Sequence, residues 1–265
     1  GRLSIESYLD FDVLNQDANY DEKFWDELES ESTLNGCFAQ AKTRKTNFEL
    51  GLASVTKVRL NGQNQGVSDM STKEKYASSH FVFDIAAGDK VEIYKYVSFG
   101  SSLYHKPENI KSFCTTYLAE CMKDSYDQII SRHKDAWLEI WSNSDIKIIG
   151  DISAQQAIRF NIFHLMQTYT GKDSRLNIGP KGFTGEKYGG STYWDTEAYC
   201  LPFYQSTTGQ EVAKQLLKYR YNQLPQAIEN AQKEMLELHG KLEIPLGEIQ
   251  RHVRGNVSLP CGGGP

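Results

Sequence analysis

The chain has 265 residues, of which 39% are hydrophobic and 24% charged, with a net charge of −5 and a pI near 5.7. That length buries a real core and holds one large domain or two smaller ones. The acidic balance excludes a partner held by neutralising nucleic-acid phosphates, and no apolar run is long enough to span a bilayer.

The start, Gly1 to Asp10, is polar and has no signal-peptide pattern, so it reads as a cut N-terminus. Five cysteines (Cys37, Cys114, Cys121, Cys200 and Cys261) are odd in number and form no CxxC pair. They read as reduced thiols of a cytoplasmic protein rather than a disulfide or zinc framework, which implies no metal and no resident cofactor.

The first hundred residues carry strand patterns. Asp17 to Glu31 is acidic, encloses Phe24 and Trp25, and reads as a connecting loop with a short helix. Asn47 to Leu60 is rich in Val, Leu and Thr and stops at the turn signal Asn61-Gly62. His80 to Ile85 reads as a strand, Gly88-Asp89 as a turn, and Lys90 to Val97 as the partner strand. Val91, Ile93 and Val97 share one face and would meet a core, with Tyr94 and Tyr96 on the other. Repeated hairpins of this kind suit a β-sandwich.

Pro107 opens a helical regime, placed where a first helical turn favours proline. Ile110, Phe113, Cys114, Tyr117, Leu118 and Cys121 keep helical spacing, as do Ile129, Ile130, His133, Ala136, Trp137 and Ile140, with a break near Asp124-Ser125. A second helical region starts at Asp151, with Asp151 or Ser153 as cap and Ala154, Ala157, Ile158, Ile162 and Leu165 on one face. A short helix is expected at Thr196 to Tyr204. A longer one is expected from Gly209 to Lys233, kinked or divided by Pro225. Gly255 to Pro265 has no periodicity. The predicted domains are a β-sandwich over 1–105, a helical linker over 106–148, a helical segment over 149–233 and a divergent tail over 234–265.

Gly171 to Glu197 is too long to be mere connection. It mixes glycines, aromatics and charges of both signs, which is what a sugar site needs. A pyranose offers apolar C–H faces to an aromatic ring and hydroxyls in fixed directions to a carboxylate. Trp194 would supply the face and Asp195 a grip on two hydroxyls. An equally available reading makes Asp195 the cap of the next helix, with Trp194 packed on Tyr199. Glu186 and Glu197 would form a catalytic carboxylate pair. Glu197 is better read as a carboxylate stabilised at a helix start.

The run Gly179-Pro180-Lys181-Gly182-Phe183-Thr184-Gly185-Glu186-Lys187-Tyr188-Gly189-Gly190-Ser191-Thr192-Tyr193-Trp194-Asp195-Thr196-Glu197-Ala198-Tyr199 resembles the corresponding stretch of glycoside hydrolase family 65, of the maltose phosphorylase type. The likeness extends back through Ala157 to Phe163 and forward through Tyr219-Arg220-Tyr221 to Ala231. It is weaker at Asp17 to Trp25 and Tyr94 to Val97. In all it spans residues 10 to 233.

The resemblance implies a mixed β and α chain: a partial N-terminal β-sandwich, linker helices and the first helices of an (α/α)6 barrel. It implies a homodimer in the full-length parent. The implied reaction is inverting phosphorolysis of maltose, with inorganic phosphate as co-substrate, to β-glucose 1-phosphate and glucose. The Trp-Asp pair matched by Trp194 and Asp195 would hold the non-reducing glucose, and Arg159, Lys181 and Tyr188 would line the pocket. The family's acid follows in an Asn-Gly-x-Glu-Cys-His-Asn-Glu-Trp-Glu context, and nothing like it occurs beyond residue 233. No catalytic residue is therefore assigned, and the chain by itself is expected to be inactive. The alternatives are a non-catalytic carbohydrate-binding fragment and a hydrolase of trehalose or another α-glucoside. Nothing in these motifs separates maltose from nigerose, kojibiose or trehalose.

Overall fold

A computed structural model describes residues 1–14, 23–44, 46–179, 182 and 192–242, with side chains as far as 236. The chain divides into two compact units, with the boundary between Ser131 and Arg132.

The first unit is two antiparallel sheets and a helix. One sheet orders β1 (Arg2–Asp10), β7 (Tyr76–Asp84) and β6 (Asp69–Lys73). The other orders β2 (Trp25–Thr33), β3 (Gly36–Thr43), β4 (Glu49–Leu60) and β5 (Gln63–Gln65), with β8 (Val91–Ser101) on the far edge of β4. Strict alternation shapes β1, where Leu3, Ile5, Ser7 and Leu9 turn inward. Leu9, Cys37, Ala39 and Ala77 form a cluster drawn from both sheets, which is the sandwich core. Strand β3 is buried on both faces, because Phe38 joins a second cluster on the opposite side.

That second cluster exists because α1 (Ile110–Cys121) lies on the outer face of the five-stranded sheet. Ile110, Cys114 and Leu118, spaced as one helical face, meet Phe38 and Ala53. Two glycines make the approach possible. Gly51 and Gly100 are cross-strand partners on β4 and β8. A Cβ on Gly51 would lie 2.3 Å from Ile110 Cγ2, and one on Gly100 would lie 2.8 Å from Cys114 Sγ. The Ser98 hydroxyl donates to the Cys114 carbonyl at 2.6 Å and completes the seam.

Three expectations for this unit are corrected. Residues Trp25–Thr33, which overlap the Asp17 to Glu31 stretch read as a loop with a helix, are strand β2. Its Glu29 and Glu31 carboxylates both accept from Lys111 of α1, so the acidic run is charge-compensated by tertiary contact. Lys90 to Val97 does not pair with His80 to Ile85. Strand β8 pairs β4, and β7 pairs β1 and β6, so the Gly88-Asp89 turn passes between sheets. The faces of β8 are also reversed. Tyr96, Ser98 and Gly100 lie under α1, while Ile93, Val97 and Phe99 are exposed. Helix docking selects the face with small residues at the contact, whatever the hydrophobicity of the other.

The turn at Asn61-Gly62 is as expected. Both residues have positive φ, 50° and 81°, and they join β4 to β5. The helix break falls at Met122–Ser125, and α2 (Tyr126–Ser144) starts with a reciprocal cap. The Gln128 N–H donates to Ser125 Oγ and the Ser125 N–H donates to Gln128 Oε1.

The second unit is helical. Helix α3 (Ile152–Thr168) is capped by Asp151, whose carboxylate accepts from the Ala154 N–H at 2.9 Å. Its inward side carries Ala154, Ile158, Ile162 and Leu165, with Ala157 exposed. A π-helical turn, Thr196–Cys200, leads into α4 (Leu201–Thr207), and α5 spans Gln210–Leu242. Pro225 does not divide α5. The residue four positions earlier, Tyr221, whose carbonyl a proline at 225 leaves without its helical donor, is 74% exposed, so the helix passes this point on its solvent side. Tyr169, Ile178, Tyr204 and Leu216 form the core, and burial pushes the Tyr204 phenol well above its usual range. The four described cysteines are free.

Substituting Gly51→Ala is expected to destabilise the first unit by about 1–3 kcal/mol through overpacking against Ile110. Denaturant unfolding measures it, and pairing the change with Ile110→Ala should recover part of the loss.

Candidate functional site

The informative loop ends at a short structured segment, Thr192 to Cys200. Its anchor is Arg220 of α5, which sequence reading quotes only as part of a resemblance. The guanidinium donates to Glu197 Oε1 at 2.8 Å, to the Thr192 hydroxyl at 3.2 Å and to the Tyr193 carbonyl. Both side chains of the Arg220–Glu197 pair are about three-quarters buried, at 26% and 24% exposure. A planar fork with fixed donors suits three acceptors in one neighbourhood. From below, the Thr196 hydroxyl donates to the Ile178 carbonyl at 2.9 Å in a buried bond.

Trp194 and Asp195 sit inside this frame. The Thr196 N–H donates to the Tyr193 carbonyl, and those of Glu197 and Ala198 donate to the Trp194 carbonyl. Backbone therefore satisfies the first donors of the turn. The Asp195 side chain makes no cap hydrogen bond. Asp195 is exposed, and Trp194 is 60% exposed, with its ring 6.0 Å from that of Tyr199 in a tilted contact. The packing half of the cap-and-staple reading is present and the capping half is not. π-Helical turns are frequent at functional sites.

Charge gathers at the turn. Burial, the Glu197 carboxylate and the Asp195 carboxylate together hold the Cys200 thiol above its ordinary range. Glu197 stands in the first turn of the π-helical segment, as read from the sequence, and Arg220 holds its carboxylate in an ion pair.

Arg159 is engaged elsewhere. It forms a two-pronged ion pair with Asp145, at 2.8 and 2.6 Å, which holds the carboxyl below the usual carboxylate range. Lys181, Tyr188 and Glu186 lie outside the described residues. No group of three or more His, Cys, Asp or Glu side chains suited to a metal occurs among the described residues. No helix among them is long and apolar enough to cross a membrane.

The comparisons with known proteins agree with this architecture. The N-terminal domain of glycosyl hydrolase family 65 matches residues 1–140, and that family's central catalytic domain matches residues 159–241, which include Trp194, Asp195 and Arg220. The chain belongs to glycosyl hydrolase family 65.

Among its relatives is the maltose phosphorylase of Bacillus subtilis (strain 168), 39% identical over 94% of this chain and 34% of the relative. The kojibiose phosphorylase of Thermoanaerobacter brockii is 32% identical over 87% of this chain and 31% of its own length. The α,α-trehalose phosphorylase of Geobacillus stearothermophilus is 30% identical, over 86% and 31% respectively. The solved structure of a candidate kojibiose phosphorylase from the human microbiome superposes with a TM-score of 0.77 at 30% identity, covering 88% of this chain and 30% of that one. The chain thus spans about a third of the length of the curated relatives it matches.

Two outcomes test this geometry. Arg220→Ala should cost about 1–3 kcal/mol in chemical unfolding, because it leaves Glu197 and two further acceptors unmet, and Arg220→Lys should restore only part. Asp195→Asn removes one of the charges that raise the Cys200 pKa. More thiolate is then present at a fixed, mildly alkaline pH, so iodoacetamide should modify Cys200 faster than in the parent chain. An unchanged rate would place the Asp195 carboxylate away from Cys200.

Proposed function

We infer that this chain is the entrance portion of an inverting disaccharide phosphorylase whose substrate is maltose, and that Trp194 and Asp195 hold the non-reducing glucose. The observation that carries the reading is the frame around this pair. Arg220 and Thr196 fix the backbone on either side, while the carboxylate of Asp195 is left uncommitted to any cap. A carboxylate held this way accepts hydrogen bonds from two neighbouring sugar hydroxyls, and an exposed indole covers the apolar ring face. Maltose is favoured over kojibiose and trehalose because the maltose phosphorylase is 39% identical to this chain, against 32% and 30% for the other two.

In this reading a phosphate oxygen attacks the anomeric carbon as the bond to the bridging oxygen breaks. That oxygen takes a proton from a carboxylic acid, and the configuration inverts to β-glucose 1-phosphate with release of glucose. Asp195 touches the sugar through ground and transition states alike, and because the acceptor is a carboxylate its hydrogen bonds are charge-assisted and worth about 1.5–3 kcal/mol. The acid is not assigned to any described residue.

The test uses a chimera in which this chain replaces the matching third of the Bacillus subtilis maltose phosphorylase. Maltose should be consumed only when inorganic phosphate is present, with glucose 1-phosphate as a product. Glucose released without phosphate would instead indicate a hydrolase. Asp195→Ala should lower kcat/KM by about 10- to 100-fold, the equivalent of the lost contacts. Because Asp195 caps nothing, its thermal stability should stay within about 0.5 kcal/mol of the parent. Near-normal kinetics would remove Asp195 from the sugar site.

A further inference from the structure

We propose that the first unit carries an accessory saccharide pocket, separate from the Trp194–Asp195 segment, on the outer face of its five-stranded sheet. Period-two alternation on paired strands places Lys57 and Arg59 of β4 beside Tyr94 and Tyr96 of β8, with Lys57 directly opposite Tyr94. The cations lie over the rings diagonally. Lys57 Nζ is 5.6 Å from the Tyr96 centroid, and Arg59 Cζ is 5.5 Å from that of Tyr94. The connection from α1 to α2 roofs the cavity and brings Tyr126 to 5.9 Å from Tyr94, inclined by 59°. Asp127, in the first turn of α2, adds a carboxylate to the lining. The half-open cavity has a volume of about 350 Å³.

Three features select the ligand class. The volume falls toward the lower end of small-molecule sites, ~300–1,000 Å³. The lining is mostly polar, whereas gaps left by imperfect core packing are apolar. Charges of both signs stand among aromatic rings. An inorganic anion would meet the Asp127 carboxylate, whereas a neutral polyol uses donors and acceptors together and lays its C–H face on a tyrosine. Lys57 has no ion-pair partner among the described residues, so its ammonium is oriented by a ring and keeps donors for hydroxyls. A glucosyl mono- or disaccharide meets these requirements. Its binding here does not depend on the site assigned above.

The experiment is a titration of the full chain with maltose, followed by two-dimensional NMR of labelled tyrosine rings. Saturable shifts of Tyr94 and Tyr126 are expected, with a Kd on the order of millimolar. They should persist in Asp195→Ala, which separates this pocket from the Trp194–Asp195 site. Tyr94→Ala should weaken the binding about tenfold by removing one stacking face, and Tyr94→Phe should preserve it. Lys57→Ser, at a half-buried strand position, gives a second variant that leaves the tyrosines in place and should also weaken binding. Absence of saturable shifts, their loss in Asp195→Ala, or saturation by inorganic phosphate with maltose silent would each overturn the proposal.

Discussion

A single guanidinium organises the Thr192–Cys200 segment. Arg220 projects from α5 and binds a hydroxyl, a backbone carbonyl and a carboxylate that all belong to Thr192–Glu197. A flexible connection ordinarily resists such convergence, because each fixed residue costs conformational entropy of about 1–2 kcal/mol. Charge-assisted bonds, at ~1.5–3 kcal/mol each in partly buried positions, are among the few interactions large enough to offset that. The remaining support is apolar: Ile178, Tyr204 and Leu216 bury the floor beneath the turn, and the Tyr204 hydroxyl ties it to the Leu165 carbonyl at 2.5 Å. Among the described residues, the polar ends of Trp194 and Asp195 make neither kind of contact. They are carried by the frame rather than being part of it.

The first unit solves a different problem with the same economy of contacts. Its five-stranded sheet must serve the sandwich on one face and a helix on the other. The glycine pair Gly51 and Gly100 lets α1 approach closely at one end, where Ile110 and Cys114 are fully buried. Further along the same two strands, beyond Tyr96, the same face changes to Lys57, Arg59 and Tyr94, which are too large and polar for a helix to lie over. The α1–α2 turn spans the gap without filling it. A cavity of mixed chemistry at that point follows from the sheet continuing beyond the helix that covers it.

How much of this was legible in the sequence depended on whether the signal was local. The Asn61-Gly62 turn, the helix start at Pro107, the break near Ser125 and the Asp151 cap are encoded within a few residues, and the structure has each of them. Strand partners are not encoded that way. His80 to Ile85 and Lys90 to Val97 look like a hairpin because a short turn joins them. The choice between pairing with each other or with β1 and β4 depends on chain segments 30 or more residues away. The Trp25–Thr33 strand was hidden for a related reason: its acidic side chains depress strand propensity, and Lys111, far along the chain, compensates them. Arg220 lay within a recognised stretch, yet no local pattern distinguishes an anchoring arginine from a solvated one on a charged helix.

Two aspartates show why site assignment needed coordinates. Asp151 and Asp195 both stand immediately before a helical turn, and by sequence both satisfy the preference for a capping residue. Asp151 has extended backbone angles, φ −131° and ψ 101°, which turn its carboxylate back toward the Ala154 N–H. Asp195 is already helical, at φ −52° and ψ −34°, and its side chain makes no cap hydrogen bond, while the Tyr193 and Trp194 carbonyls take the donors. A helical aspartate is mildly unfavourable, and here it also raises the pKa of a neighbouring thiol. Local stability thus gives no reason for a carboxylate at this position.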